Sequence, residues 1–407
     1  MGSLKQRVEY AVTDTEIGNS AATVGLNQPA RTLSIRWPDG EVNQYHYVWL
    51  RHSARCFGGM PNDTSIKIDL LPDDPTTLVV ANCVIEENRL RIDWADAGLV
   101  TFHELEDLRR SAYDQPARER RKHRPSLWDA QSASAISVFN FSALENESKQ
   151  LDLLLAVRDF GVAKITGLPH RLGSVRDVAR LFGPIHVNNY GEVFDVKSDA
   201  SRSLGSNTGV DLPPHTDESY RHDAPGISFF HCINATAEGG ESILVDGFRA
   251  AETLQTRHPD SFKVLTSVPI FFQRYALPDE DMRSHTRILV QDIDGDIVGV
   301  RWTDRTLAPQ DLPPAWVEPV YKALRALWQI INDADLKHRY LMKPGDLHIF
   351  DNHRVLHGRT AFDTAAGARH LQQCSVNRDE FHSTLRTLAA RLGSPASELI
   401  MAGGAVG

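Results

Sequence analysis

A chain of 407 residues, 41% hydrophobic and 24% charged, suits two cores of unequal size and carries no low-complexity run. Its formal net charge of −9 argues against a nucleic-acid binder, which shows a basic face, and no apolar run approaches the ~20 residues that span a bilayer. The four cysteines, Cys56, Cys83, Cys232 and Cys374, are scattered and too few for a disulfide framework, so a soluble protein of a reducing, cytoplasmic compartment is expected.

Residues 1–30 read as a polar, extended or disordered lead-in. They have no apolar signal core, and Gln6 stands where a myristoylation motif needs Ser or Thr. Residues 31–110 read as a small β-rich domain. Thr32 to Trp37 alternates, the Pro38-Asp39-Gly40 turn leads into a strand over Val42 to Leu50, and further strands follow at Ser65 to Leu70, Thr77 to Glu86 and Arg89 to Trp94. Residues 111–136, with the basic run Arg118 to Arg124, read as a solvated linker.

The main domain is expected over 137–395, with a tail at 396–407. An amphipathic helix over Leu144 to Asp159 precedes a strand at Val162 to Ile165, and a second helix covers Ser174 to Phe182. Strands at Gly226 to Ile233, Ser242 to Val245 and Leu347 to Phe350 are interspersed with helices near Arg249 to Arg257 and Val317 to Asn332. Many strands with Pro/Gly turns favour a mainly β jelly-roll with flanking helices over a βαβ sheet. No dinucleotide or phosphate-loop signature is present.

Within Pro213-Pro214-His215-Thr216-Asp217, residues i and i+2 of an extended segment face the same way, so His215 and Asp217 can reach one ion. His357, far along the chain in Arg354-Val355-Leu356-His357-Gly358-Arg359, is the candidate third ligand. Two His and one carboxylate occupy one face of an octahedral iron(II), leaving positions open for a bidentate co-substrate and O2. A His-x-Asp pair alone is common; the company it keeps carries the weight. Arg369, a short loop and a return strand beyond His357, is placed to clamp the distal carboxylate of 2-oxoglutarate bidentately, and Ser242 to add a hydroxyl. His348 and His353 are better read as structural or supporting groups, and Arg359 as a weaker clamp than Arg369.

The run from Tyr190 to Gly247, with His215-Thr216-Asp217, Pro225-Gly226, His231-Cys232, Gly239-Gly240 and Val245-Asp246-Gly247, resembles the γ-butyrobetaine dioxygenase group of the taurine-dioxygenase-like superfamily. So does Asp351-Asn352-His353-Arg354-Val355-Leu356-His357-Gly358-Arg359 with Arg369-His370-Leu371. The resemblance implies a double-stranded β-helix, iron(II) at His215, Asp217 and His357, 2-oxoglutarate at Arg369, and a homodimer. It also implies a zinc site in the small domain, but after Trp49-Leu50-Arg51 only Cys56 remains, with Ala54 and Gly59 where thiolates would stand and Gly98 at the His position. One soft ligand does not hold structural zinc, and no zinc is expected. His52 and His103 are poor substitutes.

The substrate positions also depart from the group. Tyr190 and Phe194 match two walls of an aromatic cage for a trimethylammonium; Asn207 and Ser375 stand at the other two and offer no π face. Arg301 and Arg305 lie where polar substrate contacts are expected, against the plainer reading of surface salt bridges. The reading is an iron(II)/2-oxoglutarate oxygenase acting on an unactivated C–H of a small amino acid, carboxylate or secondary-metabolite intermediate, by hydroxylation, desaturation or cyclisation. A γ-butyrobetaine or trimethyllysine hydroxylase, a non-oxidative metal enzyme on the same barrel and a non-catalytic binding protein remain the alternatives.

Overall fold

The computed structural model describes residues 22–56, 71–96, 98–197, 209–276, 280–363 and 367–398, the side chains of Arg55, Cys56 and Ala276 excepted. Two compact units divide between Lys122 and His123. In the first, Thr23–Asn27, Thr32–Arg36 and Val42–His46 form an antiparallel sheet. The strand expected over Val42 to Leu50 stops at His46, and Tyr47–Ser53 is helical. Tyr47, Leu50 and Arg51 are buried at helical i, i+3, i+4 spacing, which outweighs their strand propensity.

A second sheet of this unit runs in the order Arg55–Cys56, Val100–Glu104, Arg89–Trp94, Val80–Glu86. The strand expected from Thr77 starts at Val80, because the Asp74 side chain caps a 3-10 turn over Pro75–Thr77. The strand expected at Ser65 to Leu70 and the Gly59 position lie outside the described residues. The 111–136 stretch is itself folded. Asp114 caps a helix over Gln115–Arg121 that carries Pro116 in its first turn and buries Ala117, and Trp128 is buried in the second unit with its indole N–H on the Phe160 carbonyl at 2.7 Å. Polar composition concealed a cap and a single aromatic anchor.

The second unit is mainly β, with two sheets built from ten strands: β1 (Val138–Asn140), β2 (Val162–Thr166), β3 (Phe194–Lys197), β4 (Leu212–His215), β5 (Ile227–Ala235), β6 (Ser242–Asp246), β7 (His338–Tyr340), β8 (Leu347–Asp351), β9 (Val355–Arg359) and β10 (Arg369–Val376). The larger sheet has the order β3-β10-β5-β8-β2-β1 and the smaller β4-β9-β6-β7. Except for the parallel β1–β2 pair, the ladders are antiparallel.

Period-two burial gives each sheet an outer and an inner face. Ile227 and Phe229 of β5, Leu347 and Ile349 of β8, and Cys374 and Val376 of β10 pack under α1 (Glu147–Phe160) and α5 (Arg378–Arg391). Val245 of β6 and Leu356 of β9 pack under α2 (Gly247–Arg257), α3 (Pro259–Ser267) and α4 (Pro314–Ile331). Each such side chain contributes about 1.5–3 kcal/mol on burial. The intervening residues point inward: Phe230, His348 and Phe350 from the large sheet, and His357 from the small one, whose ring lies 5.2 Å from Phe230 and 4.7 Å from Phe350 between centroids.

The turn between β8 and β9 is locked by Arg354. Its guanidinium is buried and donates to both Asp246 oxygens at 3.0 and 2.9 Å and to the carbonyls of Asp159 and Ser126. Asp246 also accepts from the backbone N–H groups of Phe248 and Trp128, capping α2. Among the described residues no helix is long and apolar enough to cross a membrane, and Cys83, Cys232 and Cys374 are free thiols.

Candidate metal centre

β4 and β9 pair antiparallel with His215 directly opposite His357, so strand register alone makes the two imidazoles neighbours, 4.4 Å apart between ring centroids. Asp217 follows two residues after His215. Its Oδ1 stands 3.6 Å from His215 Nε2 and 3.5 Å from His357 Nε2, and one ligating atom from each residue lies within 4.8 Å of the others. Adjacent ligands of an octahedral ion with bonds of about 2.1 Å lie roughly 3 Å apart, so a small contraction brings this trio onto one ion.

The surroundings set the ligand atoms. His215 Nδ1 lies 2.9 Å from the Pro213 carbonyl, which places a proton there and leaves Nε2 as a lone pair. His357 is wedged between Phe230 and Phe350, and burial pushes its imidazole down to about 3, so it is neutral. Burial works to raise the Asp217 carboxyl, but His357, His215 and the Gln373 amide outweigh it and hold it below the usual carboxylate range. Gln373 Nε2 donates to Asp217 Oδ2 at 2.8 Å, leaving Oδ1 toward the histidines. Asn352 holds the Asp217 main chain at both ends: its Oδ1 accepts from the Asp217 N–H at 2.7 Å and its Nδ2 donates to the Asp217 carbonyl at 3.1 Å. Neutral imidazoles and an ionised carboxylate are the donor set that a divalent metal requires.

Gly358, beside His357, shows how closely β9 approaches β4. A Cβ there would lie 2.4 Å from the Leu212 carbonyl oxygen and 3.1 Å from the Pro213 main chain. Gly358→Ala is therefore expected to push the strands apart and weaken metal binding at least tenfold, read by titration with manganese(II). Wild-type affinity in that variant would show that strand spacing does not set the site.

The trio opens into a cavity of about 530 Å³. Arg369 and Ser242 line it, as does Tyr340, whose hydroxyl hydrogen-bonds His348 Nδ1. Arg369 is held beside Tyr340 and the Phe362 ring, 5.8 Å from its centroid. Tyr190 and Phe194 line it too, their rings 5.8 Å apart, joined by Tyr220, Arg274 and Arg305.

Two candidates are elsewhere. Arg301 is buried and spends its guanidinium on the carbonyls of Arg221 and His222, bracing the segment after Asp217 instead of facing the cavity. Ser375 is buried near the end of β10, beyond the stretch of that strand that lines the cavity. Asn207 lies outside the described residues.

Gln373, Asn352, Tyr340 and Tyr220 escaped the sequence reading. Gln373 had a signal, since Arg369, Leu371 and Gln373 share the period-two face of β10. Tyr220 and Arg274 had none, because the chain reaches the cavity there through a loop and a separate hairpin. His103 of the first unit is buried with Nε2 unpartnered, and the Cys56 side chain lies outside the described atoms.

Residues 120–375 match the family described as Taurine catabolism dioxygenase TauD, TfdA family. The chain is 33% identical over 362 residues to a γ-butyrobetaine dioxygenase of Pseudomonas sp. (strain AK-1), covering 88% of this chain and 94% of that enzyme. It is 26% identical to the Homo sapiens γ-butyrobetaine dioxygenase, over 89% of this chain and 96% of that one. A trimethyllysine dioxygenase of Meyerozyma guilliermondii is also 26% identical, over 88% and 93% of the two chains. With its family match covering most of the chain and a curated relative aligned almost end to end, the protein belongs to the TauD, TfdA family of dioxygenases.

Proposed function

We propose that this chain is an iron(II)- and 2-oxoglutarate-dependent dioxygenase that oxidises an unactivated C–H bond of a small polar substrate. The observation that carries the reading is the convergence of His215, Asp217 and His357 at a cavity that also holds Arg369 and Ser242. His215 Nε2, His357 Nε2 and Asp217 Oδ1 would hold the ferrous ion, and Arg369 with Ser242 the distal carboxylate of 2-oxoglutarate. When bound, these supply the oxidising power, with O2 consumed and 2-oxoglutarate released as succinate and CO2.

The chain's own part is positioning. Gln373 fixes the Asp217 carboxylate and Asn352 its main chain, while the Phe230 and Phe350 rings exclude water behind His357. Tyr190 and Phe194 supply substrate-facing walls. The two sheets are read as a double-stranded β-helix, and the assembly as a cytoplasmic homodimer without zinc. Betaine chemistry, named for the relatives, is supported here by the Tyr190–Phe194 pair alone.

A hydrolytic metal enzyme or a silent binding protein has no use for a cation at the Arg369 position. Arg369→Ala is expected to weaken 2-oxoglutarate binding at least thirtyfold, the loss of a charge-assisted bidentate contact worth about 2 kcal/mol or more. The decisive assay supplies iron(II), O2 and a panel of amino acids, betaines and small acids, and reads succinate. Metal-dependent hydrolysis without O2, or no consumption of 2-oxoglutarate with any substrate, would overturn the reading.

A further inference from the structure

Tyr190 reaches the cavity from an exposed turn and not from a strand. Before the turn, the His186 N–H is tied to the Ser375 carbonyl of β10 at 2.8 Å; after it, the chain enters β3 at Phe194. Between these anchors the Asn188 side chain accepts from the Tyr190 N–H at 2.8 Å. The Gly191 N–H reaches the Asn188 carbonyl at 2.9 Å, with Gly191 at a φ of 86–90° class that only glycine takes freely, its value being 90°. These bonds shape the turn. They do not fix where it lies against the cavity.

Asn189 does that from outside. Its side-chain amide is held at both ends: Oδ1 accepts from the Arg221 guanidinium, and Nδ2 donates to Glu280 Oε1. A donor on one side and an acceptor on the other set which way the amide points. Arg221 lies in the segment after Asp217, pairs with Glu218, and has its carbonyl held by Arg301 at 2.8 Å. Glu280 opens the second strand of the hairpin formed by Ile270–Ala276 and Glu280–Thr286. Its Oε2 takes Arg274 Nε at 2.7 Å and lies 3.5 Å from the Tyr190 hydroxyl, which is 3.3 Å from that of Tyr220. Three segments distant in the chain, 186–194, 217–222 and 270–286, thus meet at one amide.

We propose that Asn189 is a positioning residue, the pin of a clasp that holds the Tyr190 ring at the cavity by joining the metal-ligand segment to the hairpin. Neither Asn189 nor Glu280 lines the cavity, so the pair acts on a substrate only through Tyr190. The proposal rests on the reading of Tyr190 as a substrate-facing wall of an oxygenase, and the experiment separates the two. Asn189→Asp keeps the size of the side chain and the acceptor for Arg221, but sets a carboxylate oxygen against Glu280 in place of the donor. Glu280→Gln, added to it, returns a donor to the same contact from the other side.

In the full chain, Asn189→Asp is expected to speed amide hydrogen exchange over residues 187–191 about fivefold or more, and to leave β5, β8 and β9 within about twofold. The double variant should recover most of that protection. Manganese(II) and 2-oxoglutarate affinities, read by calorimetry under nitrogen, should stay within about twofold of the wild type. With the panel compound that releases most succinate, KM should rise about fivefold or more while kcat holds within about twofold. Unchanged exchange at the turn, exchange raised throughout the sheets, a double variant as loose as the single one, or an unmoved KM overturns the clasp. If the wild-type chain binds no 2-oxoglutarate, or no panel compound releases succinate, the oxygenase reading falls, and the exchange rates still decide for or against the clasp.

Discussion

Asp217→Ala is expected to abolish iron binding and to lower substrate-dependent succinate release more than about a thousandfold, because it removes the sole anionic ligand of the trio. The fold should be nearly indifferent. Asp217 follows the end of β4, and its main chain is held by Asn352 through amide contacts that the substitution leaves in place. The melting temperature of the metal-free variant should therefore lie within about 2 °C of the metal-free parent, since ~1 kcal/mol shifts a chain of this size by little more than about 1 °C. Metal content by mass spectrometry, succinate yield and a thermal melt check the three parts. Parental turnover with the carboxylate gone would remove the metal assignment.

Asp246→Ala is expected to give the converse result, a large loss of stability that precedes any statement about catalysis. The substitution strands the Arg354 guanidinium in the interior, with two carbonyl contacts left and no counter-charge. It also removes the acceptor for the Phe248 and Trp128 N–H groups. Breaking a buried pair from one side costs about 3–5 kcal/mol, roughly 4–6 °C in melting temperature for a protein of this length. The double variant Asp246→Ala, Arg354→Met should recover part of that loss, since an apolar side chain of similar length leaves no orphaned charge. A single variant that melts with the parent would show that water reaches Arg354.

The metal trio was legible because it depends on short-range geometry: two residues apart on an extended segment, and one strand partner carried by a distinctive motif. The strands β2, β5, β6 and β8 and the helices α1, α2 and α4 were legible from hydrophobic spacing, to within a few residues at their ends. Tyr47 to Leu50 was misread as strand because its aromatic and β-branched residues suit either state and only tertiary burial decides. Arg301 and Arg305 are near neighbours of the same residue type, yet one braces a loop and the other faces the cavity. No pattern in the chain distinguishes them, since the difference is made by carbonyls eighty residues away. Tyr220 and Arg274 reach the cavity by tertiary contact alone.

The side chain of Asn352 presents to Asp217 one acceptor and one donor, the pair that an adjoining strand would have offered. Order at this corner is thus secured by a neutral amide before any ion arrives. Metal capture then resembles a key entering a finished lock, and little of its binding energy is diverted to shaping the peptide, unlike a zinc finger that folds only around its ion. Removal of a bound metal is therefore expected to leave the two sheets in place, and added metal to raise thermal resistance by mass action alone.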